Sequence, residues 1–482
     1  MRDYSLIYLN GVRKEVRGRE TLMMLADWLR KEVGLTGTKI VCAEGDCGAC
    51  TVLRAFPPFQ ENEVEFEAMN SCIATVAQMD GSHLVTVEGI QNGGELSPVQ
   101  KAMRECHGSQ CGYCTPGFVM ALTGALEKHP SLDTKTACNF LTGNLCRCTG
   151  YQPIIEAAIS VKPNEDHSVS KRYLKKEATT DLIKHQKESV LIKHGPATFF
   201  APVTIEEAVR FAFENPGFKV LGAATDLGVQ TNKGKPLPTH LLSLHLISDL
   251  YEVRKKDNQI KVGARVSLAR LRREIETANP EFARFLNLFA SPQIKNVATL
   301  VGNIANASPI GDTLPFLLVS AGKVHAASFE KGTVQKREVC FSDLFLGYKK
   351  LSLKPNEIIT HVSFEENTPN QILKLYKVSQ RKDLDISTVS GAFLLKTSSG
   401  GKQKTIDEAR IAFGGVAATP IRLPEIEKAL QGKVLEPRLV QAVSELIGKS
   451  ISPQTDLRGT KEYRKVLAVN LFKKFGSEVL DG

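Results

Sequence analysis

The placement of the cysteines constrains this chain more than any other feature. The sequence of 482 residues contains 11 cysteines, and all except Cys340 precede residue 149. A secreted protein would use such a block for disulfides, but the number is odd and the first residues, MRDYSLIYLNG, lack the pattern of a secretory signal. In a cytosolic protein a dense cysteine block more often binds metal. The cysteines therefore predict a cytoplasmic protein with metal centres in its first third.

Length and composition indicate what kind of protein the whole chain forms. A chain of this length has room for about three domains, and 42% hydrophobic with 24% charged residues is typical of globular proteins. No apolar run approaches the roughly 18 residues of a membrane-spanning helix. The net charge of +10 comes mostly from scattered lysines and not from a basic block interleaved with aromatics. Neither a nucleic acid nor a membrane is therefore predicted as a partner.

Local patterns divide the chain into five parts. Alternation around Asn10-Gly11 predicts a hairpin over 5–17, followed by a helix from Thr21 to Val33. Strands are predicted near 51–56, 64–68 and 84–87. From Ser97-Pro98 onward the period is helical, which predicts four helices up to residue 161. The predicted domains are 1–90 and 91–161, a polar linker over 162–193, and alternating strands and helices over 194–365 and 366–482.

The first cysteine motif has the spacing of a plant-type [2Fe–2S] site. It reads Cys42-x4-Cys47-x2-Cys50, with Cys72 further along. Four thiolates must converge on two irons, and Gly45 lets the loop turn tightly around them. A zinc site or incidental thiols are the alternatives, but zinc ligands are usually paired as C-x2–4-C.

The second motif pairs Cys111-x2-Cys114 with Cys146-x-Cys148. Both pairs stand at predicted helix starts, where free N–H groups favour negative charge. Alone, this pattern fits zinc or iron, and the neighbouring first motif favours a second [2Fe–2S] centre. The remaining cysteines, Cys106, Cys138 and Cys340, are predicted to be small core residues.

These motifs give the sequence its resemblance to a known family. CAEGDCGACTV, QCGYCTPGF and GNLCRCTGYQPI resemble the iron–sulfur domains of the molybdenum hydroxylases, the group of xanthine dehydrogenases and aldehyde oxidases. The resemblance implies a ferredoxin-like β-grasp domain over 1–90 and a four-helix [2Fe–2S] bundle over 91–161. It also implies that Gln110 and Cys148 lie toward the pterin of a molybdenum cofactor held by another domain.

Two segments suit a phosphate group. KVLGAATDLG (219–228) and NVATLVGNIANASPIGD (296–312) contain turns of small residues, where backbone N–H groups can approach an anion. By themselves such turns are common, and no G-x-G-x-x-G follows a strand, so a Rossmann site is not predicted. The segments resemble the two FAD-binding loops of the same family. IDEARIAFGGVAATPIR (406–422) resembles its C-terminal flavoprotein domain.

The resemblance assigns the flavin contacts residue by residue. Asp312 would bind the ribityl or ribose side, Phe289 would lie near the isoalloxazine, and Lys377 would contact the flavin. Arg381 lies in the loop that shapes the nicotinamide side, and Leu353 is a further contact. The loops that would hold the pyrophosphate comprise Val220, Leu221, Gly222, Ala223, Ala224, Thr225, Asp226, Leu227, Thr299, Leu300, Val301, Gly302 and Asn303.

The sequence departs from the family pattern at two places. Ala223 and Ala224 stand where many relatives have Gly-Gly, which narrows the turn. Leu384 occupies a position that is acidic in some relatives, which bears on how NAD is handled.

The order of the modules implies the function. We expect an α+β multidomain chain in which electrons pass from the second cluster to the first, then to FAD and finally to NAD. The sequence ends after the flavin domains, so the resemblance implies a separate large molybdenum-cofactor subunit, as in bacterial members of the xanthine dehydrogenase group. A heterotetramer or a dimer of heterotetramers is implied, with no catalytic residue for hydroxylation in this chain. The alternatives are a sibling enzyme for aldehydes or N-heterocycles, and a non-enzymatic zinc-binding assembly scaffold.

Overall fold

The described part of the chain divides into two units. A computed structural model describes residues 1–56, 64–162, 168–400 and 403–481. The first unit comprises Met1–Ser248 together with Ala290–Ala298, and the second comprises Asp249–Phe289 and Thr299–Gly482. The segment 290–298 therefore belongs in space with residues far from it in sequence.

The first unit begins with a five-stranded mixed sheet. Asn10 and Gly11 are both left-handed (φ 49° and 84°), which closes the predicted hairpin as a tight turn. The strand order is β2-β1-β5-β3-β4, with β1 parallel to β5, which is the expected β-grasp arrangement. The predicted helix begins at Leu25 instead of Thr21, because Met24 forms a β-bridge with Thr75. The elements are β1 (Tyr4–Leu9), β2 (Val12–Arg17), α1 (Leu25–Lys31), β3 (Thr51–Ala55), β4 (Glu67–Asn70) and β5 (Ser82–Val85).

Four helices follow, as predicted. Ser97 accepts a hydrogen bond from the Gln100 N–H and the Gln100 side chain returns the contact, which forms a capping box at the first helix. The unbroken run of buried residues from Gly117 to Ala125 makes the second helix the centre of the bundle. The helices are α2 (Pro98–Glu105), α3 (Thr115–Leu126), α4 (Thr134–Phe140) and α5 (Gln152–Ser160).

The predicted linker contains regular structure over residues 168–193. The segment forms α6 (Val169–Tyr173) and α7 (Lys176–His185) and enters β6 (Val190–His194). Residues 163–167 of the predicted linker lie outside the described residues. Helix α7 buries Leu182 and is held through Asp181, which accepts hydrogen bonds from Tyr8 and Arg13 of the first sheet. Because these partners are polar and distant, the segment shows no strong apolar period.

The first unit continues with a four-stranded sheet. Its order is β6-β7-β9-β8, with β7, β9 and β8 parallel. Thr204 caps α8 by accepting from the Glu207 N–H. The further elements are β7 (Ala197–Ala201), α8 (Ile205–Glu214), β8 (Lys219–Leu221), α9 (Leu227–Asn232) and β9 (His240–Ser243).

The second unit contains an antiparallel sheet of order β10-β11-β16-β12-β13. Phe282 and Phe316 stack in its core with ring centroids 3.7 Å apart. The strands are β10 (Val253–Lys256), β11 (Gln259–Gly263), β12 (Lys323–Glu330), β13 (Thr333–Cys340), the small pair β14 (Phe345–Gly347) and β15 (Lys350–Leu351), and β16 (Ile358–Glu365). The helices are α10 (Leu268–Glu274), α11 (Pro280–Leu288), α12 (Pro292–Lys295) of the first unit, α13 (Leu300–Asn306) and α14 (Leu314–Val319).

A second antiparallel sheet and three helices end the second unit. The order is β17-β18-β19-β20, and Phe393, Phe413 and Phe472 are fully buried against it. The elements are β17 (Gln371–Val378), β18 (Val389–Gly400), β19 (Gln403–Gly414), β20 (Ile421–Arg422), α15 (Pro424–Leu430), α16 (Pro437–Ser450) and α17 (Lys461–Asp481). The predicted α+β multidomain class is confirmed. Across the described ranges, every helix is too short or too polar to cross a bilayer.

Candidate cofactor sites

The first cysteine site is built on the loop between α1 and β3. Cys42, Cys47 and Cys50 lie on this loop, and Cys72 lies on the 3-10 turn that follows β4. The thiol of Cys42 is hydrogen bonded to those of Cys47 and Cys72, and Cys72 is also bonded to Cys50. Left-handed residues curl the loop, and they are Ala43, Gly45 and Gly48.

The first site favours thiolates. Hydrogen bonds from Cys47 and Cys72 hold the pKa of Cys42 far below its usual range, and backbone N–H groups of the loop add to this. The hydrogen bond to Cys42 raises the pKa of both Cys47 and Cys72 in return. A hydrogen bond from Cys72 likewise lowers the pKa of Cys50 against the effect of burial. Four thiols that are hydrogen bonded to one another lie close enough to bind one cationic cluster. On binding, the iron ions would replace the thiol protons.

The second cysteine site consists of two pairs. The Sγ atoms of Cys111 and Cys148 lie 3.5 Å apart, and the thiols of Cys114 and Cys146 are hydrogen bonded to each other. One member of each pair precedes α3 and the other precedes α5. In the described residues no three His, Cys, Asp or Glu side chains form a group suited to a single metal ion. A [2Fe–2S] cluster asks instead for two thiolates at each of two irons, which two pairs supply.

In the second site, the pKa values of the two thiols of each pair are shifted in opposite directions. The Tyr113 backbone N–H lowers the pKa of the exposed Cys111 thiol, and the hydrogen bond to Cys111 raises that of Cys148. Burial raises the pKa of Cys114 to about 12. Burial would also raise the pKa of Cys146, but hydrogen bonds, first of all from Thr149, lower it. Each pair therefore contains one thiol with a lowered pKa, Cys111 or Cys146, and one thiol with a raised pKa.

The two sites differ in exposure. Cys50 and Cys72 are buried in the first site, whereas Cys111 and Cys148 are exposed in the second. The exposed Gln110 stands beside the second site, on the side that the resemblance assigns to a pterin. The prediction that all remaining cysteines are core residues is wrong, since small thiols also occur at the surface; Cys138 and Cys340 are exposed and Cys106 is half-buried.

The loops of the two sites touch through their backbones. The Leu145 N–H donates to the carbonyl oxygen of Cys47 at 3.0 Å. A Cβ on Gly117 would stand 2.2 Å from the carbonyl oxygen of Gly48. One hydrogen bond therefore connects the residue before Cys146 with a ligand of the first site.

The segment 290–298 supports this contact. The buried Gln293 donates to the Asn144 side chain at 2.7 Å and to the Thr51 hydroxyl at 3.4 Å. Asn144 donates in turn to the Gly48 carbonyl oxygen at 3.3 Å. These two amides were not predicted, because a lone Gln or Asn near a motif has the same appearance in a sequence as a surface residue. Only the folded chain shows them between the loops.

The first predicted flavin loop lies in the first unit. Val220 and Leu221 end β8, and the turn from Gly222 continues through the left-handed Ala224 (φ 56°) into α9, which begins at Leu227. The backbone of Gly228 approaches that of Ile73 so closely that a Cβ would stand 2.0 Å from the Ile73 oxygen. The residue after Cys72 is thus in contact with the helix that follows this loop.

Helix α9 is also bonded to the first cysteine site. The Asn232 side chain donates to the carbonyl oxygens of Cys72 at 2.8 Å and of Ala43 at 2.7 Å. Asn232 was not predicted from the sequence. It places the predicted flavin loop beside the first cysteine loop within one unit.

The second predicted loop lies in the second unit. Thr299 caps α13 by accepting from the Gly302 N–H, and the Asn303 side chain accepts from the Thr313 hydroxyl at 2.7 Å. Leu300 and Val301 are buried in the first turn of this helix. The helix thus holds the predicted contact residues 299–303 in one fixed turn.

Two of the predicted flavin contacts, Asp312 and Lys377, form a buried ion pair. The Lys377 ammonium lies 2.5 Å from Asp312 Oδ2, and both side chains are buried. The other predicted contacts are not bonded to this pair: Arg381 is exposed and bonds Asp385 and the Leu384 carbonyl oxygen. Phe289 ends α11 and Leu353 follows β15, and both are half-buried. Leu384 is left-handed (φ 55°).

Four protein-family descriptions match consecutive parts of the chain. They are the 2Fe-2S iron-sulfur cluster binding domain at residues 7–77, the [2Fe-2S] binding domain at 86–159, the FAD binding domain in molybdopterin dehydrogenase at 195–364, and the CO dehydrogenase flavoprotein C-terminal domain at 374–479.

Curated relatives match almost the whole chain. Xanthine dehydrogenase of Drosophila subobscura is 30% identical over 97% of this chain, and xanthine dehydrogenase 1 of Arabidopsis thaliana is 31% identical over 98%. The chain spans only 38% and 39% of the lengths of these relatives.

Solved structures resemble part of the chain. A chain of the carbon monoxide dehydrogenase from Hydrogenophaga pseudoflava has a TM-score of 0.53 and 25% identity, and the match covers 57% of this chain and 94% of that one. A chain of quinoline 2-oxidoreductase from Pseudomonas putida 86 has a TM-score of 0.53 and 22% identity, over 58% of this chain and 96% of that one, which shows the fold alone.

Proposed function

We propose that this chain, which belongs to the molybdenum hydroxylases as an iron–sulfur and FAD chain, is the electron-transfer part of a xanthine dehydrogenase. Electrons from purine hydroxylation, hypoxanthine or xanthine to urate, at a partner's molybdenum centre pass through two [2Fe–2S] clusters and FAD to NAD. The observation that carries the proposal is the hydrogen bond from Leu145 to Cys47, which joins the two cysteine sites. Similarity to relatives named xanthine dehydrogenase along nearly the whole chain supports the choice of substrate.

The cysteines bind the clusters in this proposal. The first set is Cys42, Cys47, Cys50 and Cys72, and the second is Cys111, Cys114, Cys146 and Cys148. When bound, the clusters and FAD supply the one- and two-electron chemistry. The chain's own groups fix the thiolates: the Glu44 N–H lies 3.4 Å from Cys42 Sγ, and the Thr149 hydroxyl lies 3.1 Å from Cys146 Sγ. Two thiols of the first site, Cys50 and Cys72, are buried, while two of the second, Cys111 and Cys148, are exposed.

The FAD contacts in this proposal are those that the resemblance assigns. They are Val220–Leu227, Phe289, Thr299–Asn303, Asp312, Leu353, Lys377 and Arg381. The buried pair of Asp312 and Lys377 supports the assignment. The hydroxyls of a ribityl chain need hydrogen-bond donors and acceptors when they are buried, and this pair supplies both. NAD is the proposed final acceptor.

The domain boundaries and the partner belong to the same proposal. The domains are 1–90, 91–161, 194–365 and 366–482, with a segment of two short helices before the third. The partner is a large molybdenum-cofactor subunit, assembled as a heterotetramer or a dimer of heterotetramers. The curated relatives continue for more than half of their length beyond the matched region, which leaves room in them for such a part.

A sibling enzyme is the second candidate. Over 57% of its length this chain also resembles a chain of carbon monoxide dehydrogenase, and no residue of this chain is proposed to touch the oxidised substrate. An aldehyde or N-heterocycle hydroxylase would use the same electron-transfer part. The substrate therefore has to be tested on the assembled complex.

The decisive experiment uses the complex purified from its native host through a tag on this chain. We expect xanthine-dependent NAD reduction, with molybdenum, iron and FAD in the same sample. A brown, molybdenum-containing complex that is inactive on xanthine would favour the sibling enzyme. A colourless protein with stoichiometric zinc would refute the electron-transfer function and support the assembly scaffold.

Iron content tests the two cysteine sets separately. The wild-type chain should contain about four iron atoms, and Cys42→Ser or Cys148→Ser should each contain about two. Cys138→Ser, an exposed cysteine outside both sets, is the matched control and should keep all of them. Cys42→Ser should also lose substrate-to-NAD turnover while NADH still reduces the flavin. Full iron in either ligand variant would contradict the assignment of that site.

A further inference from the structure

The carboxylate of Asp312 is held on both oxygens. Lys377 contacts Oδ2, and the Ser387 hydroxyl donates to Oδ1 at 2.5 Å. Asp312 is 7% exposed and Ser387 is 1% exposed. A carboxylate oxygen has two acceptor positions, so each oxygen keeps one for a ligand. The serine removes the rotational freedom that the lysine alone would leave.

Ser387 is fixed through the residue that follows it. The guanidinium of Arg464, on α17, donates to the carbonyl oxygen of Thr388 at 2.5 Å and to that of Gly415 at 3.2 Å. The second nitrogen of Arg464 donates to Asp456 at 2.6 Å. Arg464 is 2% exposed, so its two bonds to carbonyl oxygens form away from water, where bonds from a charged donor are strong.

The backbone around Thr388 leaves no room for another arrangement. Gly415 is left-handed (φ 82°), and a Cβ there would stand 2.5 Å from the Thr388 oxygen. The Thr388 N–H donates to the Val378 carbonyl oxygen at 2.8 Å, in the strand that carries Lys377. Arg464 therefore fixes the start of β18 against β17 at the point where Ser387 meets Asp312.

We propose that Ser387 is a further residue of the flavin site and that Arg464 is its positioning residue. Ser387 orients the Asp312 carboxylate toward the ribityl or ribose hydroxyls, and Arg464 holds Ser387 in place. The inference rests on the proposed FAD site. It adds two residues that neither the cysteine motifs nor the flavin loops contain.

The test measures FAD binding on the whole chain. Ser387→Ala removes one hydrogen bond to a charged acceptor, so it should weaken FAD binding about ten-fold. Ser398→Ala is the control, because that serine lies on β18, the strand that begins just after Ser387, and also bonds an aspartate, Asp407, away from this site. The assay is a titration of FAD-depleted protein with FAD, followed by the quenching of flavin fluorescence. Iron per chain reports whether the cluster part remains intact.

The role of Arg464 is tested by a double-mutant cycle. Arg464→Lys keeps the charge but loses the guanidinium fork, in which one nitrogen reaches two carbonyl oxygens and the other reaches Asp456. It should weaken FAD binding by a similar factor. If Arg464 acts through Ser387, the double variant should bind FAD no more weakly than the weaker single variant. Losses that multiply would show that Arg464 acts on its own and would overturn the positioning role.

The outcomes separate this inference from the proposed function. If Ser387→Ala binds FAD as tightly as Ser398→Ala, the inference is wrong although the FAD site stands. If the wild-type chain binds iron but no FAD, the proposed flavin function itself is wrong. If Arg464→Lys does not fold, the comparison of the two serine variants still decides the role of Ser387.

Discussion

Replacing Gly117 by alanine tests the backbone contact between the start of α3, next to the second cysteine site, and the first cysteine loop. A Cβ on Gly117 would stand 2.2 Å from the Gly48 oxygen and 2.9 Å from the Ala49 Cα. A carbon–oxygen contact normally needs about 3.3 Å, so the start of α3 and the first cysteine loop would have to separate by about 1 Å. Both obstacles are backbone atoms, which cannot rotate aside as the end of a side chain does.

The matched control is Gly124→Ala on the same helix. There a Cβ would stand 2.9 Å from Leu53 Cδ2, the end of a side chain that can move. Both substitutions gain the same helix propensity, about 1 kcal/mol, so their difference isolates the collision. Overpacking of this kind costs about 1–3 kcal/mol, and we take about 2 kcal/mol as the expected difference in the free energy of unfolding.

The assay is thermal unfolding of the first unit, followed by the emission of Trp28. This residue is the only tryptophan of the chain, and it is buried in the first sheet domain. A difference of about 2 kcal/mol corresponds to a Tm lower by about 4–8 °C in a unit of this size. Equal Tm values for Gly117→Ala and Gly124→Ala would refute the close contact.

Two further variants test how the first unit is held together. The buried ion pair of Arg2 and Asp80 is bidentate, so Asp80→Asn should destabilise the unit by about 3–5 kcal/mol, measured by urea unfolding. Burial raises the pKa of Asp80, but bonds from His245 and Arg2 lower it overall. The ionised carboxylate therefore stabilises the fold above about pH 4. This stabilisation is lost as the pH falls through the lower pKa of the folded state. Acid unfolding should accordingly be less steep in Asp80→Asn, and an unchanged slope would contradict this. Asp181→Ala frees α7 from Tyr8, so trypsin should cleave this helix about five-fold faster. Glu177→Ala, an exposed change on the same helix, should not alter the cleavage rate. Equal cleavage rates for the two variants would contradict the contact between α7 and the first sheet.

The sequence predicted the elements whose causes are local. The Asn10-Gly11 turn and the Ser97 cap need only neighbouring residues, and both occur where they were predicted. Helix α7 was not predicted from the sequence, because it depends on bonds from Tyr8 and Arg13, more than 160 residues away. The spacing of apolar residues does not predict a helix that is held in place mainly by polar contacts.

The same division applies to the candidate sites. The spacing of the cysteines fixes which thiols can reach one centre, because the backbone allows only a short span between neighbours in a loop. Which thiols form pairs, Cys111 with Cys148 and Cys114 with Cys146, depends on two helix starts that meet only in the fold.

The sequence by itself determined the module order, the eight candidate ligands and the family, because short motifs and their spacing are properties of the chain. Tertiary structure alone decided that Gln293 and Asn144 lie between the cysteine loops and that Arg464 holds Ser387 against Asp312. These contacts join residues 75 or more positions apart. No local preference encodes them, since a single buried amide, serine or arginine looks the same in sequence as one at the surface. Their positions are set by the packing of whole strands and helices, which fixes distance and burial together.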